Sequence, residues 1–117
     1  MHMRIALACV LFGSLALTQS REDPAITYAR RIIAGQKTYQ PSAGYVPDST
    51  TAVRIATAVL DPIYGKAKIA AEKPWHVGLI DGVWTVVGTF NGRGNGGEAI
   101  VQIDKRTGAI KFVGHTM

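Results

Sequence analysis

The sequence predicts an α+β domain in which one amphipathic helix packs on a four-strand antiparallel meander. Three stretches predict it. "GYVPDSTTAVRIATAVLDPIYG", residues 44–65, carries apolar residues at helical spacing. "WHVGLIDGVWTVVGTF" alternates apolar with small or polar residues on both sides of an Asp-Gly pair. "EAIVQIDKRTGAIKFVGH" repeats that layout around a longer turn.

In the first stretch Asp48 is placed to cap the helix, because its carboxylate accepts from the free N–H groups of the first turn. Ala52, Val53, Ile55, Ala56, Val59, Leu60 and Ile63 form a broad apolar face, with Arg54, Thr57 and Asp61 opposite. Pro62 lacks an N–H and disfavours the helical conformation of the residue before it. The helix is therefore expected to end at Asp61, or to restart with Asp61 as cap. A short second turn through "YGKAKIAAEK" is expected before Pro74.

The Asp81-Gly82 pair predicts a two-residue hairpin turn. That turn sets the register. Leu79 opposes Trp84, Val77 opposes Val86 and Trp75 opposes Gly88, all on one side, with Phe90 beyond. The other side carries His76, Gly78, Thr85, Val87 and Thr89. In the second hairpin Val101, Ile103, Ile110 and Phe112 are expected on the apolar side, and Gly108 suits a left-handed position closing the turn. The helix must cover the apolar side of the sheet, since nothing else in the chain is able to.

Upstream, "MHMR" carries a positive charge, Ile5–Leu17 is an apolar run of 13 residues, and "TQSRED" turns polar. This is the layout of a secretory signal peptide over residues 1–20, with cleavage between Thr18 and Arg21. The run is too short to span a bilayer. Cys9, the sole cysteine, lies inside it, so the mature chain has no disulfide and rests on its core alone. Residues 21–43 read as a short helix or linker. Ile26, Ala29 and Ile33 share a helical face, Gly35 is a possible terminator, and "QKTYQPSAG" is linker-like. The globular domain is expected over residues 44–117, with export to the periplasm or cell envelope.

Charge and chemistry exclude several functions. The 117-residue chain has 13 basic and 8 acidic side chains and a formal charge of +5. The basic residues are scattered and lack the dense stripe with interleaved aromatics of a nucleic-acid binder. "GRGNGG" contains G-x-G-x-x-G at Gly92, Gly94 and Gly97, but strands flank it on both sides, so it reads as a hairpin loop. His76 and His115 have no metal-ligand spacing around them. Asp48, Asp61, Asp81 and Asp104 sit at expected caps and turns. Glu72 and Glu98 are not spaced as a working pair, and Ser42 and Ser49 have no nucleophile elbow. The sequence thus assigns no catalytic residue, no cofactor and no metal site. What the core leaves free is the Asn91–Gly97 loop and the turn of the second hairpin. Arg93, Asn95, Lys105 and Arg106 are the candidate partner contacts.

The quoted stretches resemble the bacterial immunity proteins of nuclear-transport-factor-2-like fold. The residues that carry the likeness are Pro62-Ile63-Tyr64-Gly65, Asp81-Gly82-Val83-Trp84, Gly96-Gly97, and Ile103-Asp104-Lys105 with Thr107-Gly108, over residues 44–117. The resemblance implies a cystatin-like or nuclear-transport-factor-2-like roll in truncated form, because the full fold has more helices and strands than this chain supplies. It also implies a non-enzymatic protein that binds and neutralises a cognate protein toxin. The run Val101–Ile110 is similar to the closing hairpin of PepSY-type modules as well. That alternative implies an inhibitory or sensing domain acting on a peptidase or the cell envelope. A third class, a small enzyme or ligand carrier using the concave sheet, is favoured by an inward-facing acid or histidine in an apolar cavity. A filled core favours the binders.

Overall fold

The computed structural model describes residues 21–92 and 96–116. The expected signal segment, Arg93 and Asn95 lie outside the described residues. The chain divides into two compact units, Met1–Thr38 and Tyr39–Met117. The described part of the first is a helix, α1 (Pro24–Gly35), with Asp23 accepting from the Ala25 N–H at its N-cap and Pro24 in the first turn. Glu22 reaches forward to Arg30 at 2.9 Å and accepts from the Thr27 hydroxyl at 2.8 Å.

The second unit is α+β. Helices α2 (Ser49–Tyr64) and α3 (Lys66–Ala70) precede strands β1 (His76–Ile80), β2 (Val83–Val87), β3 (Ala99–Asp104) and β4 (Ile110–His115). The strands form one antiparallel sheet in the order β1-β2-β3-β4. Asp48 caps α2 as expected, its carboxylate accepting from the Thr51 N–H at 2.7 Å. Pro62 does not end the helix at Asp61, and Asp61 is not a cap. Pro62 sits in the last turn, where its ring removes one N–H only. The Gly65 N–H still donates to the Asp61 carbonyl at 2.9 Å, and Gly65 (φ 101°) turns the chain into α3.

The Asp81-Gly82 turn has φ of 51° and 74° at its two residues, the left-handed pair that a type I′ hairpin requires. The expected register follows, with Leu79 opposite Trp84 and Val77 opposite Val86. The Trp75 ring lies against Gly88, where an added Cβ would fall 3.0 Å from Cζ3.

The core gathers Ala52, Ala56 and Leu60 of α2, Ile69 of α3, Val46, and Trp84, Val86, Ala99, Val101 and Ile103 of the sheet. Ala52 and Ala56 are one turn apart, so their small side chains bring the helix backbone close to β2 and β3. Trp84 donates its indole N–H to the Val46 carbonyl at 2.8 Å inside this core. The helices thus cover the predicted face of the sheet.

Five expected core positions differ. Ile63, next to Pro62 in the last turn of α2, is exposed. Leu79 has the predicted pairing with Trp84, and Ile110 pairs with Ile103, but they lie on the two edge strands, beyond the helix cover, and are exposed. Phe90 lies past the end of β2, exposed, with its ring over Gly96. Phe112 is on the opposite face. Ile103 pairs with Ile110 and Gln102 with Phe112, so Lys111 is an extra residue in the ladder. That bulge moves Phe112 to the side of Gln102 and Thr85. The uncovered face carries His76, Ile80, Thr85, Gln102 and Phe112, with Gln102 donating to the Thr85 hydroxyl at 3.2 Å.

Candidate functional site

Two places hold polar groups in an unusual setting: the buried Glu72 beneath the sheet, and the turn-bearing end of the sheet where Lys105 and Arg106 lie.

Glu72 follows α3 and is the one buried charged side chain among the described residues, at 7% exposure. It joins three distant segments. Oε1 accepts from the Ala99 N–H at 2.7 Å, Oε2 meets His115 Nε2 at 3.1 Å, and the Glu72 carbonyl accepts from the Thr89 N–H at 2.7 Å. His115 Nδ1 lies 2.7 Å from the Thr116 carbonyl, an acceptor only, so Nδ1 carries a proton. The ring tilts against Tyr64 at 5.4 Å between centroids. The pair has the makings of an acid–histidine dyad, but it is packed in. Gly88 presses on Glu72 so closely that a Cβ there would fall 2.9 Å from the Glu72 Cβ, and both carboxylate oxygens already have partners. This inward-facing acid is closely packed by Gly88 and has both oxygens engaged. Its arrangement ties the α3–β1 connection to β3 and β4. The sequence pattern gives Glu72 no partner and His115 no metal-ligand spacing. The two are 43 positions apart, and no local spacing signals their meeting.

His76 is simpler. The Thr89 hydroxyl donates to the Pro74 carbonyl at 2.5 Å, so it accepts from His76 Nε2 at 3.0 Å. Among the described residues no cluster of His, Cys, Asp and Glu could hold a metal ion.

The second place is built by three segments. Asp104 ends β3 and accepts from the N–H groups of Arg106 at 3.0 Å and Thr107 at 2.9 Å, while Gly108 (φ 77°) donates back to the Asp104 carbonyl. The Lys105 N–H donates to the Gly82 carbonyl at 2.9 Å, fastening this turn to the Asp81-Gly82 turn. Residues 45 and 46 run alongside, with the Tyr45 N–H donating to Arg106 O at 3.1 Å and the Val46 N–H to Lys105 O at 3.0 Å. Gly44 (φ 85°) admits this approach, since a Cβ there would sit 2.5 Å from Lys105 O.

Between these segments lies an open recess of about 550 Å³, lined by Ser42, Gly44, Asp81, Lys105 and Arg106 among others. A smaller one of about 270 Å³, bordered by Gln40 and Tyr45, adjoins it across Arg106. Of the expected contact residues, the structure brings Lys105 and Arg106 together here. Lys105 is not a free surface charge: its ammonium donates to the Ala43 carbonyl. Arg106 is exposed.

Asp104 is held below the usual aspartate range by the Thr107 and Arg106 N–H groups, with Lys111 adding to the effect. Asp48 is lowered by Thr51, through side chain and backbone, and by Arg54. Both folded-state values lie below the unfolded value of about 3.9. Their stabilisation is therefore complete above that value and is lost as pH falls through the lower folded-state values. The Asp48→Asn and Asp104→Asn variants keep a capping oxygen but do not titrate. Thermal midpoints of these variants, followed downward from about pH 6, should fall less steeply below about pH 4 than those of the parent. Parallel curves for parent and variants would contradict this.

A helix pair over a four-strand antiparallel meander, with polar groups gathered at the turns, defines a small α+β roll. The family model described as NTF2 fold immunity protein matches residues 51–117, and the chain belongs to that family. Comparison with curated proteins and with solved structures found no match.

Proposed function

We propose that this protein is exported and neutralises a cognate bacterial toxin by stoichiometric association. The observation that carries the reading is the family match, which spans most of α2 and all four strands. Membership in an immunity-protein family suggests toxin neutralisation and a non-catalytic role. It also favours this reading over a PepSY-like module acting on a peptidase. The occupied carboxylate of Glu72 supports a structural use of the buried acid, as a binding protein requires.

The surface proposed for the toxin is the turn-bearing end of the second hairpin, with Lys105 and Arg106, together with the loop that contains Arg93 and Asn95. Charge on rigid turns speeds encounter and selects the partner. The test partner is the product of the gene beside this chain's own, first assayed for toxicity. Calorimetric titration should give a complex with one copy of each. A wild-type protein that neither binds nor protects against that toxin would overturn the reading.

Export rests on the Met1–Leu17 pattern. Cell fractionation should recover a shortened protein outside the cytoplasm. Recovery of the intact Met1 form as a soluble cytoplasmic protein would contradict it. Among the described residues no helix is long and apolar enough to cross a membrane.

A further inference from the structure

We propose that the recess between Ala43, the Asp81-Gly82 turn and Arg106 is a seat for a single acidic side chain on a protein loop. This rests on the toxin-binding reading and gives that site its ligand chemistry: an isolated aspartate or glutamate with neutral or basic neighbours.

Shape comes first. At about 550 Å³ the recess falls in the size range of small-ligand pockets. That is ample for one side chain and its flanking backbone, and the adjoining 270 Å³ recess lets the rest of a loop lie across Arg106.

Rigidity comes second. Each wall is pinned by backbone hydrogen bonds: Gly44 N–H to Pro41 O, Lys105 N–H to Gly82 O, and Tyr45 N–H to Arg106 O. Little of this surface has to be ordered on binding, so less interaction energy is lost to ordering.

Charge decides the ligand. Asp104 also lines the recess; its Oδ1 accepts from two backbone N–H groups of its own turn, and its negative charge is set against that of the neighbouring Lys105. Lys105 has one donor fixed on the Ala43 carbonyl, which leaves two ammonium protons. Among the described residues Arg106 has no side-chain hydrogen bond or ion pair, and its guanidinium fork matches a carboxylate. Asp81 lines the same recess and is likewise without a partner among the described residues. Its negative charge rejects a run of acids or a phosphate backbone, while it accepts a basic neighbour of the seated acid. The recess thus selects a mixed-charge protein loop over nucleic acid.

The test has two arms on the full chain. In the first, ¹⁵N spectra follow titration with the peptide acetyl-Gly-Asp-Gly-Lys-Gly-amide. Shifts are expected at residues 42–44, 81–82 and 104–107, and are expected to vanish with Asn in place of Asp in the peptide, or with Arg106→Ala in the protein. Shifts elsewhere, or shifts equal with the Asn peptide, overturn the proposal. In the second arm, affinity for the toxic product of the neighbouring gene, identified by the assay above, is measured for Arg106→Glu, Asp81→Asn and, as a control on the uncovered sheet face, Phe112→Ser. Arg106→Glu should weaken binding by at least about tenfold. Phe112→Ser should leave it unchanged. Asp81→Asn should add binding of a hexa-aspartate peptide that the parent rejects. Loss with Phe112→Ser and none with Arg106→Glu overturns the proposal. Peptide shifts in the recess with no toxin binding by the parent would instead uphold the seat and refute the toxin reading.

Discussion

Trp84→Ala should cost roughly 3–5 kcal/mol of folding stability. Trp84 is the largest side chain in the core, and it fills the space between β2, β3 and the small face of α2. Truncation removes its burial and leaves a cavity that Ala52 and Ala56 are too small to fill. It also strips the Val46 carbonyl of the indole N–H, 2.8 Å away in the buried interior. An acceptor stranded there adds about 1–3 kcal/mol within the total. The whole domain has a margin of about 5–15 kcal/mol, so the variant should melt far below the parent. Trp84→Phe separates the two contributions, keeping most of the ring packing and losing only the hydrogen bond. Urea denaturation read by far-ultraviolet circular dichroism gives both values. An unchanged midpoint for Trp84→Ala would mean that the core has been misplaced.

Glu72→Ala should be nearly as damaging, about 3 kcal/mol, because it breaks a buried pair and leaves its partners behind. The Ala99 N–H loses its acceptor at the start of β3, and His115 loses the carboxylate against its Nε2. The small residue at Gly88 then borders a void next to the Trp75 ring. Glu72→Gln keeps an acceptor for Ala99 and a donor for a neutral ring, so it should recover most of the loss. The same variants discriminate between structure and chemistry at this position. If Glu72 holds the fold, toxin protection should track the folded fraction in both variants. Full stability with lost protection in Glu72→Gln would show instead that the acid does chemical work.

What the sequence made legible was local. The Asp81-Gly82 pair dictates a type I′ turn, and once that turn exists the pairing of Leu79 with Trp84 follows without further information. Asp48 and Gly108 were readable for the same reason, since a cap and a left-handed turn residue act within a few positions. The features that were not readable depend on long-range geometry. The Lys111 bulge has no sequence marker in "AIKFVGH", yet it reverses the side on which Phe112 lies. Pro62 was overruled because α2 needed only one more turn, closed by Gly65 and held by packing of Tyr64 against the core. The candidate site was half visible. Arg106 and Lys105 could be read as the tip of a hairpin. The recess beside them exists because residues 41–46 fold back onto that tip through backbone hydrogen bonds, and Ser42–Gly44 had read as linker.

The central claim is that one molecule of this protein occupies one molecule of toxin. Toxin activity titrated with increasing protein tests it most directly. The account predicts a linear fall that reaches its floor near an equimolar ratio, with the equivalence point unmoved by longer incubation. Inactivation of many toxin molecules by each molecule of protein, growing with time, would contradict it and make the protein an enzyme.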